Sequence, residues 1–121
     1  MHESVSSYEK GLMGENLACE YLVEKGMVLL KKRYRSLYGE IDLVMREKET
    51  LVFVEVKVRK NSRYGSGLEA IHGQKQKRLI QTAGLYLSEK RIDSPVRFDA
   101  IEITPEGITH IPGAFDASSQ V

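Results

Sequence analysis

With a single cysteine, Cys19, the chain can form no intrachain disulfide and no zinc site built on several cysteines. That usage suits a reducing cytoplasm. No stretch approaches the roughly 20 apolar residues of a membrane-spanning helix, and the opening MHESVSSYEKGL has no apolar core of the kind secretory leaders carry. The expectation is therefore a soluble, cytoplasmic protein with no membrane partner. Tryptophan is absent and aromatic residues make up only 7% of the chain, but 121 residues are enough to bury one core without staples. Internal repeats, low-complexity tracts and dividing linkers are also missing. One domain over residues 1–121 is predicted, with its core at about 8–116 and loose ends at 1–7 and 117–121.

A strong charge of either sign is lacking too, since the net charge is only +1. The distribution is uneven. Residues 1–55 hold 8 basic and 10 acidic groups, residues 56–91 hold 9 and 2, and residues 92–121 hold 1 and 5. The middle of the chain is thus strongly cationic between acidic flanks. A polyanion-binding face and two ordinary solvated surfaces both fit that asymmetry.

The hydrophobic periodicity gives the order α-β-β-β-α-β-β. A helix from about Tyr8 to Lys25 places Met13, Leu17, Ala18, Tyr21 and Leu22 on one side, with Gly26 as its stop. Strands are expected at 27–35, 39–46 and 51–59, the first apolar at its start in a way that suits a buried sheet. The other two form a hairpin around Glu47–Thr50. NSRYGSG (61–67) reads as a loop. A second helix covers about Gln74 to Lys90, with Leu79, Ile80, Ala83, Tyr86 and Leu87 at helical spacing. VRFDAIEI (96–103) is a strand, and ITHI (108–111) can pair with it across the Pro105–Gly107 turn. The fold class is α/β: a mixed sheet of four or five strands flanked by helices.

Chemistry concentrates in GEIDLVMREKETLVFVEVKVR. On its second strand Val52, Val54, Val56 and Val58 form one face, while Glu55, Lys57 and Arg59 share the other with Leu51 and Phe53. Charges on so apolar a strand need compensation. If residues 47–50 form the loop, opposed positions place Asp42 across from Glu55 and Glu40 across from Lys57. Two facing carboxylates repel unless one is protonated or a cation lies between them, and Mg²⁺ favours such oxygen donors. A third acid, Glu15, falls within the helix stripe of Ala18, Cys19 and Leu22 and needs a partner or a cation. Cys19 itself reads as a core thiol. The alternatives at this point are a metal site, or a buried Glu–Lys ion pair with Asp42 solvated.

Asp42, twelve intervening residues, then Glu55-Val56-Lys57 is similar to the PD-(D/E)XK nuclease signature. The wider text is more specific: GxxGExxAxxYLxxKG, GEIDLV, LVFVEVKVR, the run from Ala70 to Leu87, RFDAIEI and THIPGAF. In that order, over about Gly11 to Phe115, they resemble the bacterial YraN-like uncharacterised protein family. That family is held to share the restriction endonuclease-like fold and to be distantly similar to archaeal Holliday-junction resolvases. The resemblance implies that Asp42, Glu55 and Glu15 hold Mg²⁺ (or Mn²⁺), and that Lys57 polarises the attacking water or steadies phosphorane charge. Glu40 occupies a matching place of less defined role. The signature's proline is replaced by Ile41.

Arg59, Lys60, Arg63, Lys75, Lys77 and Arg78 follow the hairpin and are expected to contact phosphates without reading sequence. Lys75 is set toward the buried edge of its helix; Lys77 and Arg78 face solvent. Tyr64 with Gly65 and Gly67 fits a backbone-covering loop or an ordinary one. Gln74, His72 and His110 are not proposed as ligands, and Arg97 with Asp99 reads first as a structural ion pair. The functional expectation is a metal-dependent endonuclease acting on structured, including branched, DNA in repair or recombination. The alternative is a nucleic-acid-binding module on a nuclease fold without cleavage of its own. By analogy with resolvases that act on two strands, a homodimer is a further expectation.

Overall fold

Thr50–Val58 has the most continuous apolar alternation in the chain, and such a strand needs cover on both faces. It takes the central place. The computed structural model describes residues 7–60 and 73–116. Its elements in order are α1 (Ser7–Glu24), β1 (Val28–Ser36), β2 (Gly39–Glu47), β3 (Thr50–Val58), α2 (Gly73–Lys90), β4 (Val96–Thr104) and β5 (Gly107–Phe115). The strands form one sheet, β1-β2-β3-β4-β5. Only β3 and β4 run parallel, and the crossover between them carries α2; the other neighbours are antiparallel. This is the mixed α/β order that the periodicity predicts.

The helices cover opposite faces. Ala18, Cys19 and Leu22 of α1 pack on Leu43, Met45, Val52, Val54 and Ile101, with Cys19 a buried thiol. Leu79, Ala83 and Tyr86 of α2 pack on Ile41, Val44, Leu51, Phe53, Phe98 and Ala100. Tyr86 meets Phe53 edge-on at 5.9 Å, and Phe53 stacks on Phe98. Gly26 stops α1 at φ 101, with Met27 N–H donating back to the Leu22 carbonyl. None of the described helices is long and apolar enough to cross a membrane.

Three details depart from the sequence reading. Met13 and Leu17 lie beside, not within, the buried stripe of α1, and stay 56% and 46% exposed. The strand expected to begin buried is an edge strand: a bulge between Leu29 and Lys31 shifts its register, and Val28 faces solvent. The last strand extends past ITHI to Phe115. Pro112 is tolerated there because β5 is an edge, where a missing N–H breaks no ladder on the outer side.

Candidate metal and phosphate site

The site grows from a break in the sheet. β2 and β3 turn through Lys48 and Glu49, with Lys48 left-handed at φ 54. The loop is two residues shorter than predicted, but the register is the predicted one, from Glu47 opposite Thr50 to Leu43 opposite Val54. Beyond Leu43 the ladder ends. Val56 N–H donates instead to Asp42 Oδ2 at 2.7 Å, so the Asp42 carboxylate takes the backbone donor released where the strands part. Side-chain alternation also slips here: Ile41 belongs to the α2-side core and Leu43 to the α1-side core, although they are two residues apart.

Four carboxyl groups meet at this break. Asp42 shares a hydrogen bond with Glu55 and feels the charge of Glu15. Ligand oxygens of Glu15, Glu40 and Asp42 all lie within 4.8 Å of one another. Burial comes first, then the contact with Glu55, in pushing the Asp42 carboxyl up to about 9; the Val56 N–H opposes the shift. Glu15, 5% exposed on α1, pairs with Arg33 Nε at 2.9 Å. Glu55 is buried on β3, and its Oε2 lies 2.6 Å from Lys75 Nζ on α2. Glu40 pairs with Arg35. Asp42 is the member of the group for which no cationic side chain is recorded among the described residues.

These acids line an open cleft of about 840 Å³ together with Lys10, Lys57, Lys60, Met13, Leu17 and Val58. Lys57 does not pair with Glu55, whose ammonium partner is Lys75. Gly14 brings α1 down onto β3 beside the site, because a Cβ there would sit 2.5 Å from Val58 Cγ2. Gly14→Val is therefore expected to push α1 off β3 and displace Glu15. The thermal midpoint should fall by about 4–12 °C, taking overpacking at about 1–3 kcal/mol. Calorimetry and Mg²⁺ titration of the variant check this, and an unchanged midpoint would refute the close packing.

The other predicted contacts divide. Lys60, Lys77 and Arg78 are exposed, as is Gln74. Arg59 is engaged with buried Glu102, Nε to Oε2 2.9 Å. Arg63, the loop residues Tyr64, Gly65 and Gly67, and His72 lie outside the described residues. Asp99, fully buried, accepts from Arg97 Nε and Nη2, His110 Nε2 and Gly113 N–H. Arg97 also reaches Glu47 at 2.7 Å. The Arg97–Asp99 pair is the one expected from the sequence; His110 as its third member and Arg33 as the partner of Glu15 are not. The run Lys31-Lys32-Arg33-Tyr34-Arg35 was the signal for Arg33, obscured because its left-handed φ of 54 redirects the side chain.

The donor set suits a hard divalent cation. Oxygens opposite each other on Mg²⁺ are about 4.2 Å apart, and about 5 Å on a larger ion such as Ca²⁺. A spread of up to 4.8 Å needs only a small contraction to hold Mg²⁺. Such an ion would also relieve the crowding that raises Asp42.

Fold and site together define a mixed α/β domain with a carboxylate-lined cleft at the opening between its central strands. The profile of the Uncharacterised protein family UPF0102 matches residues 14–103, and the chain belongs to that family. A UPF0102 protein of Nitrosomonas europaea is 44% identical over 116 residues, covering 93% of this chain and 98% of the relative. One from Legionella pneumophila is 43% identical over 113 residues, covering 90% and 96%. One from Thermotoga petrophila is 44% identical over 103 residues, covering 82% and 90%.

Proposed function

We propose that the chain is a cytoplasmic metal-dependent endonuclease of restriction endonuclease-like fold, acting on structured DNA. The observation that carries this reading is Asp42, a carboxyl crowded by Glu15, Glu40 and Glu55 in a cleft that also contains Lys57. Asp42, Glu15 and Glu40 would hold the ion, with Glu55 alongside Asp42. A Mg²⁺ or Mn²⁺ ion bound there would supply an activated water and neutralise charge on the scissile phosphate. The Glu55 carboxylate, close to Asp42 and held by Lys75, is placed to accept a proton from a water attacking the phosphodiester. Lys57 stands in the same cleft as a cation for the phosphate oxygens. Lys10 and Lys60 at the cleft, with Lys77 and Arg78 exposed on α2, supply contacts to the nucleic-acid backbone.

The test is a panel of labelled linear, nicked, flapped and four-way-junction DNAs with Mg²⁺ or Mn²⁺, beside Glu55→Ala and Lys57→Ala proteins of verified fold. Cleavage by the wild type that falls by at least about 10²-fold in both variants supports the reading. Cleavage that persists in both rejects these residues as its source. A second reading, a binding module without cleavage, draws on the Glu15–Arg33 and Glu55–Lys75 pairs, which set a cationic side chain against two of the acids without an ion. It predicts DNA binding that weakens steeply with salt, and no cleavage.

A further inference from the structure

The turn between β1 and β2 breaks a local rule. Ser36 pairs with Gly39, so the hairpin loop is Leu37–Tyr38 alone, at positions where Asn, Asp or Gly are preferred. Neither residue has a positive φ; Gly39, at φ 149, takes up the turn. Leu37 is 91% exposed and Tyr38 40%, which puts an aliphatic and an aromatic side chain together in solvent. A lone exposed leucine needs no explanation, but this one stands on a braced tip. Tyr38 N–H donates to Ser36 Oγ at 3.0 Å, and Ser36 Oγ lies 3.0 Å from Thr82 Oγ1. Thr82 is fully buried in α2 and donates to the Arg78 carbonyl at 2.8 Å. The turn is thus tied to the helix beneath it.

What surrounds the tip gives it a partner. Tyr38, Gly39 and Glu40 share a groove with Lys75 and Arg78. Glu40 belongs to the carboxyl cluster, and Leu37 lies five positions before Asp42, a span of at most about 18 Å. Exposed aliphatic and aromatic groups beside cations, within a few base steps of a phosphodiester site, match the wedges that proteins insert between stacked bases. We propose that Leu37 and Tyr38 form a wedge that enters the base stack of DNA at a nick, flap or branch, where stacking is already interrupted, and so sets the substrate's structure. This rests on reading the cleft as a nucleic-acid site. Arg78 holds the backbone beside the opened step, and Glu40 carries the chain from the wedge to the acids.

The test is binding in EDTA to duplexes with 2-aminopurine next to a nick or branch, against an intact duplex. Wild-type protein should raise the probe's fluorescence at the discontinuity. Leu37→Ala should abolish most of that rise and weaken binding there roughly tenfold or more, leaving intact-duplex affinity within about twofold. Leu37→Met, which keeps an aliphatic wedge, should retain the signal. A Leu37→Ala protein equal to the wild type on nicked DNA, or weakened equally on every DNA, would overturn the wedge while leaving the nuclease reading standing. So would a wild-type dimer that this substitution makes monomeric, since the tip would then serve self-association. A wild type that binds none of these DNAs would remove the nucleic-acid reading and the wedge together.

Discussion

Asp42→Asn is expected to stabilise the protein in EDTA while abolishing both its response to Mg²⁺ and its cleavage. The opposed signs follow from the geometry. With no cation between them, Asp42 and Glu55 share a hydrogen bond inside a largely buried site, and Glu15 adds a like charge. The folded protein therefore keeps a proton that the unfolded chain releases near pH 4. A raised carboxyl of this kind favours the fold fully below about pH 4. Its contribution is lost as pH rises toward about 9, the folded value. At pH 7, holding that proton costs at most about 4 kcal/mol, from about 1.4 kcal/mol per pH unit. Asparagine escapes the cost and its Oδ1 can still accept from Val56 N–H. An increase of about 1–4 kcal/mol corresponds to about 4–16 °C in thermal midpoint for a domain of this size.

Mg²⁺ should raise the wild-type midpoint, more at pH 8 than at pH 5, because binding must displace the shared proton. Asp42→Asn should show no such rise, and its cleavage should fall by about 10³-fold or more. Thermal scans at several pH values, with EDTA or Mg²⁺, separate these effects. If Asp42→Asn is strongly destabilised in EDTA and the wild type ignores Mg²⁺, the acid cluster is structural and not a metal site.

Much of this centre was legible because β-hairpin register is arithmetic. The register runs as the sequence predicts as far as Leu43 opposite Val54, since shortening both ends of the loop equally leaves opposed positions unchanged, and Asp42 and Glu55 meet just beyond it. Glu15 was legible from its place on a buried helical stripe. The end of the ladder at Leu43 was not, because strands diverge for reasons of packing around Asp42 and not of local propensity. Nor were the partners Arg33 and Lys75 fixed in advance: Arg33 depends on a left-handed backbone residue, and Lys75 on how α2 crosses the sheet. The helix stripe misled at Met13 and Leu17, since a wheel gives direction but not how far the sheet extends beneath it. The Leu37–Tyr38 tip gave no periodic signal at all, because a two-residue turn is too short to have one.

A second substitution, on β4 where Asp99 lies opposite Val54, should weaken the fold itself. Asp99→Ala is expected to destabilise by about 3–5 kcal/mol, lowering the midpoint by more than about 10 °C. Asp99 sits at the irregularity between Phe98 and Ala100, where β5 falls out of register, and its Oδ1 accepts the Gly113 N–H. It does for β4 and β5 what Asp42 does for β2 and β3, accepting a backbone donor that the ladder leaves. Unlike Asp42 it is compensated. Arg97 grips both oxygens at 2.8 and 2.9 Å, and His110 Nε2 lies 2.7 Å from Oδ2. Lys25 Nζ, which can only donate, lies 3.2 Å from His110 Nδ1, so Nδ1 accepts and Nε2–H donates to Asp99. Burial alone would raise the Asp99 carboxyl; Arg97, then His110 and Gly113, outweigh it and hold it below the ordinary value. The linkage is therefore opposite to that of Asp42. Stability from Asp99 is fully present above about pH 4, the unfolded value, and is lost as pH falls through the folded one. Urea unfolding between pH 2 and 7 should show an acid-labile component in the wild type that is missing in Asp99→Asn. If Asp99→Ala costs under about 1 kcal/mol and the acid limb is unchanged, the network does not hold β5 to the sheet.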